Sequence, residues 1–121
     1  MSRWSLIGLS ILLTSLGQLF FKKGMMLLKE AHPRASLAQL TVMAFLHPQV
    51  LLGFLSFGAG AVLWLAVLAR EEVGYAYPLS ALGYLVVLFA SHFFFQESLS
   101  FSRILGVLLI MAGVFFIEWS R

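Results

Sequence analysis

Ser10, Thr14, Gln18 and Lys22 recur at intervals of four, a spacing that lines them along one face of a helix. Gly17 sits beside this stripe and Ser15 extends it, while the opposite surface is Leu, Ile and Phe. Hydroxyl, carboxamide and ammonium groups in this order form a polar wall with one fixed positive charge. Such a wall suits an anionic head group, and Lys22 is the candidate ligand for it. Lys23 points some 100° away from Lys22 on a helix, so it reads as a surface anchor. A second set, Tyr77, Ser80 and Tyr84, has offsets of three and four and also shares one face. Pro78, which lacks a backbone donor, lies inside that set with Gly74 and Gly83 nearby. These residues make the segment bendable, and a kink there offers free carbonyls or a hinge at Pro78 and Gly83.

Each feature has a plainer structural reading. Ser, Thr and Gln on one face are also packing glue between membrane helices, and Lys22 and Lys23 are also interface anchors whose stems reach water. Proline and glycine are frequent in membrane helices. What favours a cavity is the cost of placing polar groups against lipid. A lysine at the bilayer centre costs about 2.5–3.5 kcal/mol on insertion scales.

Nothing in the chain argues for bond-making chemistry. There is no cysteine, and the three histidines (His32, His47, His92) have no ligand-like spacing, so neither a disulfide framework nor a metal site is expected. No nucleophile–base pair stands out, and no cofactor is implied. His92 lies near a segment end beside Ser91, where an interfacial histidine is a more ordinary role than a proton relay. Glu97 and Glu118 fall near helix ends and Glu71 and Glu72 in a turn. No carboxylate occupies the middle of a span, where proton coupling usually needs one.

The elements that must position these residues follow from composition. The chain has 121 residues, enough for one unit; 61% are hydrophobic and 11% charged, with a mean hydropathy of +0.98. Soluble domains carry about 25% charged residues, so this is a membrane protein. The net charge of +3 is scattered, with no basic run for nucleic acid.

Four segments, at about 4–27, 48–69, 73–95 and 101–119, have the roughly 20 residues that cross the hydrocarbon. They must be helical, since backbone groups in lipid need internal partners. The expected fold is therefore all-α, a bundle of four transmembrane helices in one domain. The first segment lacks a small-residue cleavage site and reads as a retained span. Pro48 suits a first helical turn, Ser100 an N-cap, and Trp4, Trp64 and Trp119 interfacial positions. Between the first two spans, 36–46 is too short to cross and fits an interfacial helix or a plain loop. Gly53, Gly58, Gly60 and Ala61 offer a close-packing surface in the second span, and Gly106 and Gly113 a seam in the fourth. Arg3, Arg70 and Arg121 fall on one side of the membrane; Lys29, Arg34 and Arg103 fall on the other, with Lys22 and Lys23 if they reach it. This near balance leans weakly towards both termini outside and also permits insertion in both orientations.

The whole chain resembles the small four-helix members of the drug/metabolite transporter superfamily, a small multidrug resistance/EamA-like group. "LGVLLIMAGV" (105–114) is similar to the exporters' dimerisation helix, which implies an interface at Gly106, Leu109, Ile110, Ala112 and Gly113. Gly17, Lys22, Ala76 and Tyr77 are also shared. The exporters' membrane-embedded glutamate would fall at Thr14 and their pocket tryptophan at Ser80, which puts a proton-coupled cation exporter in doubt. "GQLFFKKG" (17–24) and "VGYAYPLSALGYLVV" (73–87) look like the flippase subunits for 4-amino-4-deoxy-L-arabinose linked to undecaprenyl phosphate. That resemblance implies a transporter of a polyprenyl-phosphate-linked sugar in the bacterial inner membrane. Lys22 would meet the phosphate, and Thr14, Gln18, Tyr77, Ser80 and Tyr84 the sugar. The partners implied are the anionic lipid substrate, membrane lipids, and a second copy or a paralogous small subunit in a dimer. Two alternatives remain at this point, a small-molecule exporter and a non-transporting membrane scaffold subunit.

Overall fold

The computed structural model describes residues 2–120, so Arg121 of the charge comparison lies outside the described residues. Six helices follow one another: α1 (Arg3–Ala31), α2 (Leu37–Ala44), α3 (Pro48–Arg70), α4 (Val73–Leu79), α5 (Leu82–Phe95) and α6 (Phe101–Ser120). α1, α3, the α4–α5 pair and α6 are each long and apolar enough to cross a membrane. The fold is the all-helical four-span bundle that the hydropathy dictates.

The ends of the helices have local causes. Ser2 caps α1, its hydroxyl accepting from the Ser5 N–H at 3.2 Å. Ser36 and Gln39 form a reciprocal capping box on α2, at 3.2 Å and 2.9 Å, so the segment between the first two spans contains a genuine short helix. Pro48 occupies the first turn of α3 behind His47, whose Nδ1 accepts from the Gln49 N–H. Ser100 accepts from the Arg103 N–H at 3.2 Å and caps α6.

The third span is not one continuous helix. After Pro78 the bonding shortens to three-residue steps: Ser80 to Tyr77, Ala81 to Pro78, Gly83 to Ser80 and Tyr84 to Ala81, all at 2.9–3.0 Å between nitrogen and oxygen. Proline cannot donate to the carbonyl four residues back, so the chain tightens for one turn before α5 resumes.

α1 and α3 pack most closely, and small residues make this possible. A Cβ on Gly17 would lie 2.9 Å from the Gly53 carbonyl oxygen, and one on Gly60 would lie 2.6 Å from the Thr14 methyl. Ser10 and Ser56 staple the pair by donating to the carbonyls of Gly60 (2.8 Å) and Leu13 (2.7 Å). Gly58, grouped with this surface in the sequence, meets nothing within 4 Å of its Cβ position.

Two apolar clusters close the ends of the bundle. Leu6, Ile7, Ile11, Val67, Tyr75, Ala76, Leu79 and Val114 seal the end bearing the N-terminus. Leu28, Leu40, Ala44 and Val50 seat α2 against the other end. α6 is peripheral: Val107 and Val114 are its buried residues, and a Cβ at Gly106 or Gly113 would meet nothing within 4 Å.

Candidate functional site

Between the two clusters lies an open cavity of about 620 Å³. α1 supplies Ser10, Thr14, Ser15 and Gln18; α3 supplies Phe57, Ala61 and Trp64; the broken third span supplies Tyr77, Ser80, Gly83 and Tyr84. The helical phase of each stripe turns it inward, and Tyr77, Ser80 and Tyr84 line the same space across the break after Pro78. A discontinuous helix lining a polar cavity at mid-span is tolerated because its backbone does not face lipid.

Five of the six substrate-binding candidates line this cavity: Thr14, Gln18, Tyr77, Ser80 and Tyr84. The sixth, Lys22, lies one helical turn beyond Gln18 and is not among the lining residues. Its ammonium stands 3.5 Å from the Glu97 carboxylate, with both side chains half-exposed. An ion pair this wet contributes about 0–1 kcal/mol.

The hydroxyls along the cavity differ in what they leave free. Thr14 donates back to the carbonyls of Ser10 (3.0 Å) and Ile11 (3.1 Å), and Ser80 donates to Tyr77 (2.5 Å). Both therefore present acceptor lone pairs to a ligand. Ser10, read with the same stripe, is spent on the Gly60 carbonyl and is buried. The packing reading holds for Ser10, while Gln18 is exposed on the cavity wall.

Gly83, a hinge candidate, is buried where α5 touches α1; a Cβ there would lie 2.8 Å from Ser15 Oγ and 3.2 Å from Ile11 Cγ2. Pro78 sits in α4 just ahead of the break.

The sequence reading missed Phe57, Ala61 and Trp64 as a wall. Their spacing of four and three marks one helix face, but by type and place Trp64 also fits an interfacial position. Among the described residues no Asp, Glu, Lys, Arg or His lines the cavity. Among the described residues no three of His, Asp and Glu gather to hold a metal. The chamber is neutral, hydroxyl-rich and aromatic-walled, with Lys22 one helical turn beyond it.

The wall is incomplete on one side. α6 contributes nothing to it, and Tyr77 and Tyr84 are 67% and 48% exposed in the single chain. At the opposite end from Lys22, Arg3 pairs with Glu71 at 3.4 Å and the Tyr75 hydroxyl donates to Glu118. Both contacts join the helix ends around the sealed cluster.

The family model described as "EamA-like transporter family" matches residues 1–119. A protein of Pseudomonas aeruginosa (strain LESB58) named "Probable 4-amino-4-deoxy-L-arabinose-phosphoundecaprenol flippase subunit ArnE" is 36% identical over 110 residues, 91% of each chain. Proteins of the same name from Erwinia tasmaniensis and Pectobacterium atrosepticum are 36% and 33% identical, covering 88% and 93% of this chain and 94% and 95% of their own. No solved structure matches.

Proposed function

This chain belongs to the EamA-like transporter family, and we propose that it is one subunit of a flippase carrying a polyprenyl-phosphate-linked aminosugar across the bacterial inner membrane. As a transporter it moves its substrate without covalent change. The observation that carries this reading is the pairing of an uncharged polar chamber with a lysine one turn beyond it. A lipid-linked sugar has the matching order of parts: a polar sugar, then one phosphate, then an apolar tail.

The sugar sits in the chamber, with Thr14, Gln18, Ser80, Tyr77 and Tyr84 supplying donors and acceptors. Sugar faces stack on aromatic rings, which gives Trp64, Phe57 and the two tyrosines a use beyond packing. The phosphate meets Lys22, and the tail leaves through the open side into lipid. A proton-coupled cation exporter fits less well, because Thr14 occupies the place of its carboxylate and the chamber walls carry no acid.

A single chain leaves the chamber open towards Tyr77 and Tyr84, so a second small subunit, a copy of this chain or a paralogue, completes it. The face of α6 at Gly106, Leu109, Ile110 and Gly113 is the contact between them. Access alternates as the subunits rock about the mid-membrane site, with the turn after Pro78 and the Gly83 contact as flex points. The native assembly, extracted with its partner and reconstituted into vesicles containing the aminosugar lipid, tests this. A membrane-impermeant amine reagent should then label lipid from both leaflets at a rate that depends on the protein. Labelling confined to the outer leaflet, as in protein-free vesicles, contradicts the proposal.

A further inference from the structure

A second, smaller cavity of about 240 Å³ adjoins the first at the Lys22 end, lined by Tyr84, Val87, Leu88, Ser91, Glu97 and Arg103. Tyr84 and Val87 line both cavities, so one turn of α5 separates a neutral chamber from a charged vestibule. The vestibule brings together one carboxylate and one guanidinium. Lys22, outside the lining, pairs with that same carboxylate at 3.5 Å.

Glu97 pairs with Lys22 and lines the vestibule together with Arg103, and the loop that carries it fixes its place. Gln96 adopts a left-handed backbone with φ 60° and ends α5. The Glu97 N–H donates to the Ser91 carbonyl at 3.2 Å, and the Glu97 carbonyl lies 2.9 Å from His92 Nδ1. Arg103 is anchored to the same loop, its guanidinium donating to the Ser98 carbonyl at 2.7 Å. The loop therefore presents an acid to Lys22 and keeps Arg103 alongside.

A carboxylate and a phosphate ester offer ammonium and guanidinium groups the same kind of charged acceptor oxygens. Side-chain exposures of 51% for Lys22 and 38% for Glu97 leave their contact open to exchange with another anion. We infer that Glu97 is an internal stand-in for the phosphate of the cargo. A lipid-linked phosphate ester displaces the Glu97 carboxylate from Lys22 and is held between Lys22 and Arg103. Its polar head group then passes Tyr84 into the neutral chamber. This inference rests on the transport reading above, and it adds Arg103 as a second phosphate ligand and Glu97 as the group that must yield. In the empty protein Glu97 keeps the lysine neutralised near lipid, where an unpaired cation is unfavourable. Only an anion can take its place, so the exchange selects for the phosphate before the sugar is tested.

The test is affinity for a short-chain polyprenyl phosphate, measured by native mass spectrometry on the purified protein. Glu97→Gln, Arg103→Gln, Lys22→Gln and the Glu97→Gln/Lys22→Gln double variant are compared with the original chain. Glu97→Gln should bind about threefold to fivefold more tightly, the scale of a half-exposed ion pair. Arg103→Gln should bind several-fold more weakly, and the Glu97→Gln gain should vanish in the double variant. The dephosphorylated polyprenol serves as control and should be indifferent to all four changes. Glu97→Ala, checked by thermal unfolding, serves if the glutamine variant folds poorly. Binding that needs Lys22 but is unchanged or weakened by both Glu97 variants overturns this inference and leaves the transport reading intact. Equal affinity for inorganic phosphate overturns the assignment to a lipid ester. Phosphate-independent binding throughout removes both the transport reading and the inference.

Discussion

Ser10 and Gly60 join the first two spans: the serine hydroxyl donates to the glycine carbonyl at 2.8 Å, and the missing glycine side chain makes room for the Thr14 methyl. One helix turn thus uses a polar group as glue and a neighbouring polar group as cavity wall.

Gly60→Ala should destabilise the protein by about 1–3 kcal/mol, as overpacking does. The added Cβ would come within 2.6 Å of the Thr14 methyl and 2.9 Å of the Thr14 backbone nitrogen, and backbone cannot move aside cheaply. Gly8→Ala and Gly58→Ala, where nothing lies within 4 Å, should be neutral. Unfolding in detergent compares the three, and equal stability of all three would remove the α1–α3 packing account. Ser10→Ala should cost about 0.6 kcal/mol, the average for such bonds in a membrane bundle.

Gly83→Ala should impair transport more than stability. Its Cβ would press on Ser15 Oγ at 2.8 Å and push α5 away from α1 beside the cavity. Because the nearest atom is a hydroxyl, adding Ser15→Ala should restore much of the activity. Failure of the double variant to recover, measured in the vesicle assay, would show that Gly83 acts through backbone flexibility instead.

Pro78→Ala returns a backbone donor to the third span. The helix should become more continuous and no less stable, since an interior proline costs about 3 kcal/mol or more. Transport should slow, because a continuous helix would stiffen the turn between Tyr77 and Tyr84 that is proposed to flex. Unchanged transport would mean that the break is not part of the cycle.

Gly113→Leu and Gly106→Leu separate folding from assembly. A Cβ at either position would meet nothing within 4 Å in the single chain, so stability of the isolated subunit should change by about 0.5 kcal/mol or less. Cross-linking between subunits, and transport with it, should fall sharply. Intact cross-linking in both variants would move the interface away from α6.

The parts of this structure that depend on local pattern were legible in the residues. Four spans follow from hydropathy, the cap at Ser100 from its type and place, and the shared face of Tyr77, Ser80 and Tyr84 from spacing. What a period of four does not encode is which neighbour each residue meets. Ser10 and Gln18 lie on the same stripe, yet Ser10 falls against Gly60 and Gln18 against open space. Trp64 fits an interfacial position by residue type, and its place on the cavity wall depends on where α3 crosses α1. Lys22 and Glu97 are far apart in the sequence, and only the loop that ends α5 brings them together.

We propose that the Lys22 rim and the neutral chamber together recognise a phosphate with a sugar attached. Native mass spectrometry of the purified protein against a matched lipid series tests it most directly. The series is polyprenol, polyprenyl phosphate and the aminosugar-linked polyprenyl phosphate, with Lys22→Ala and Gln18→Ala as variants. Affinity should rise at each step, Lys22→Ala should remove the gain from phosphate, and Gln18→Ala should remove the gain from the sugar. Equal affinity along the series, or gains that survive both substitutions, would contradict it and leave Lys22 an interface anchor and the stripe packing alone.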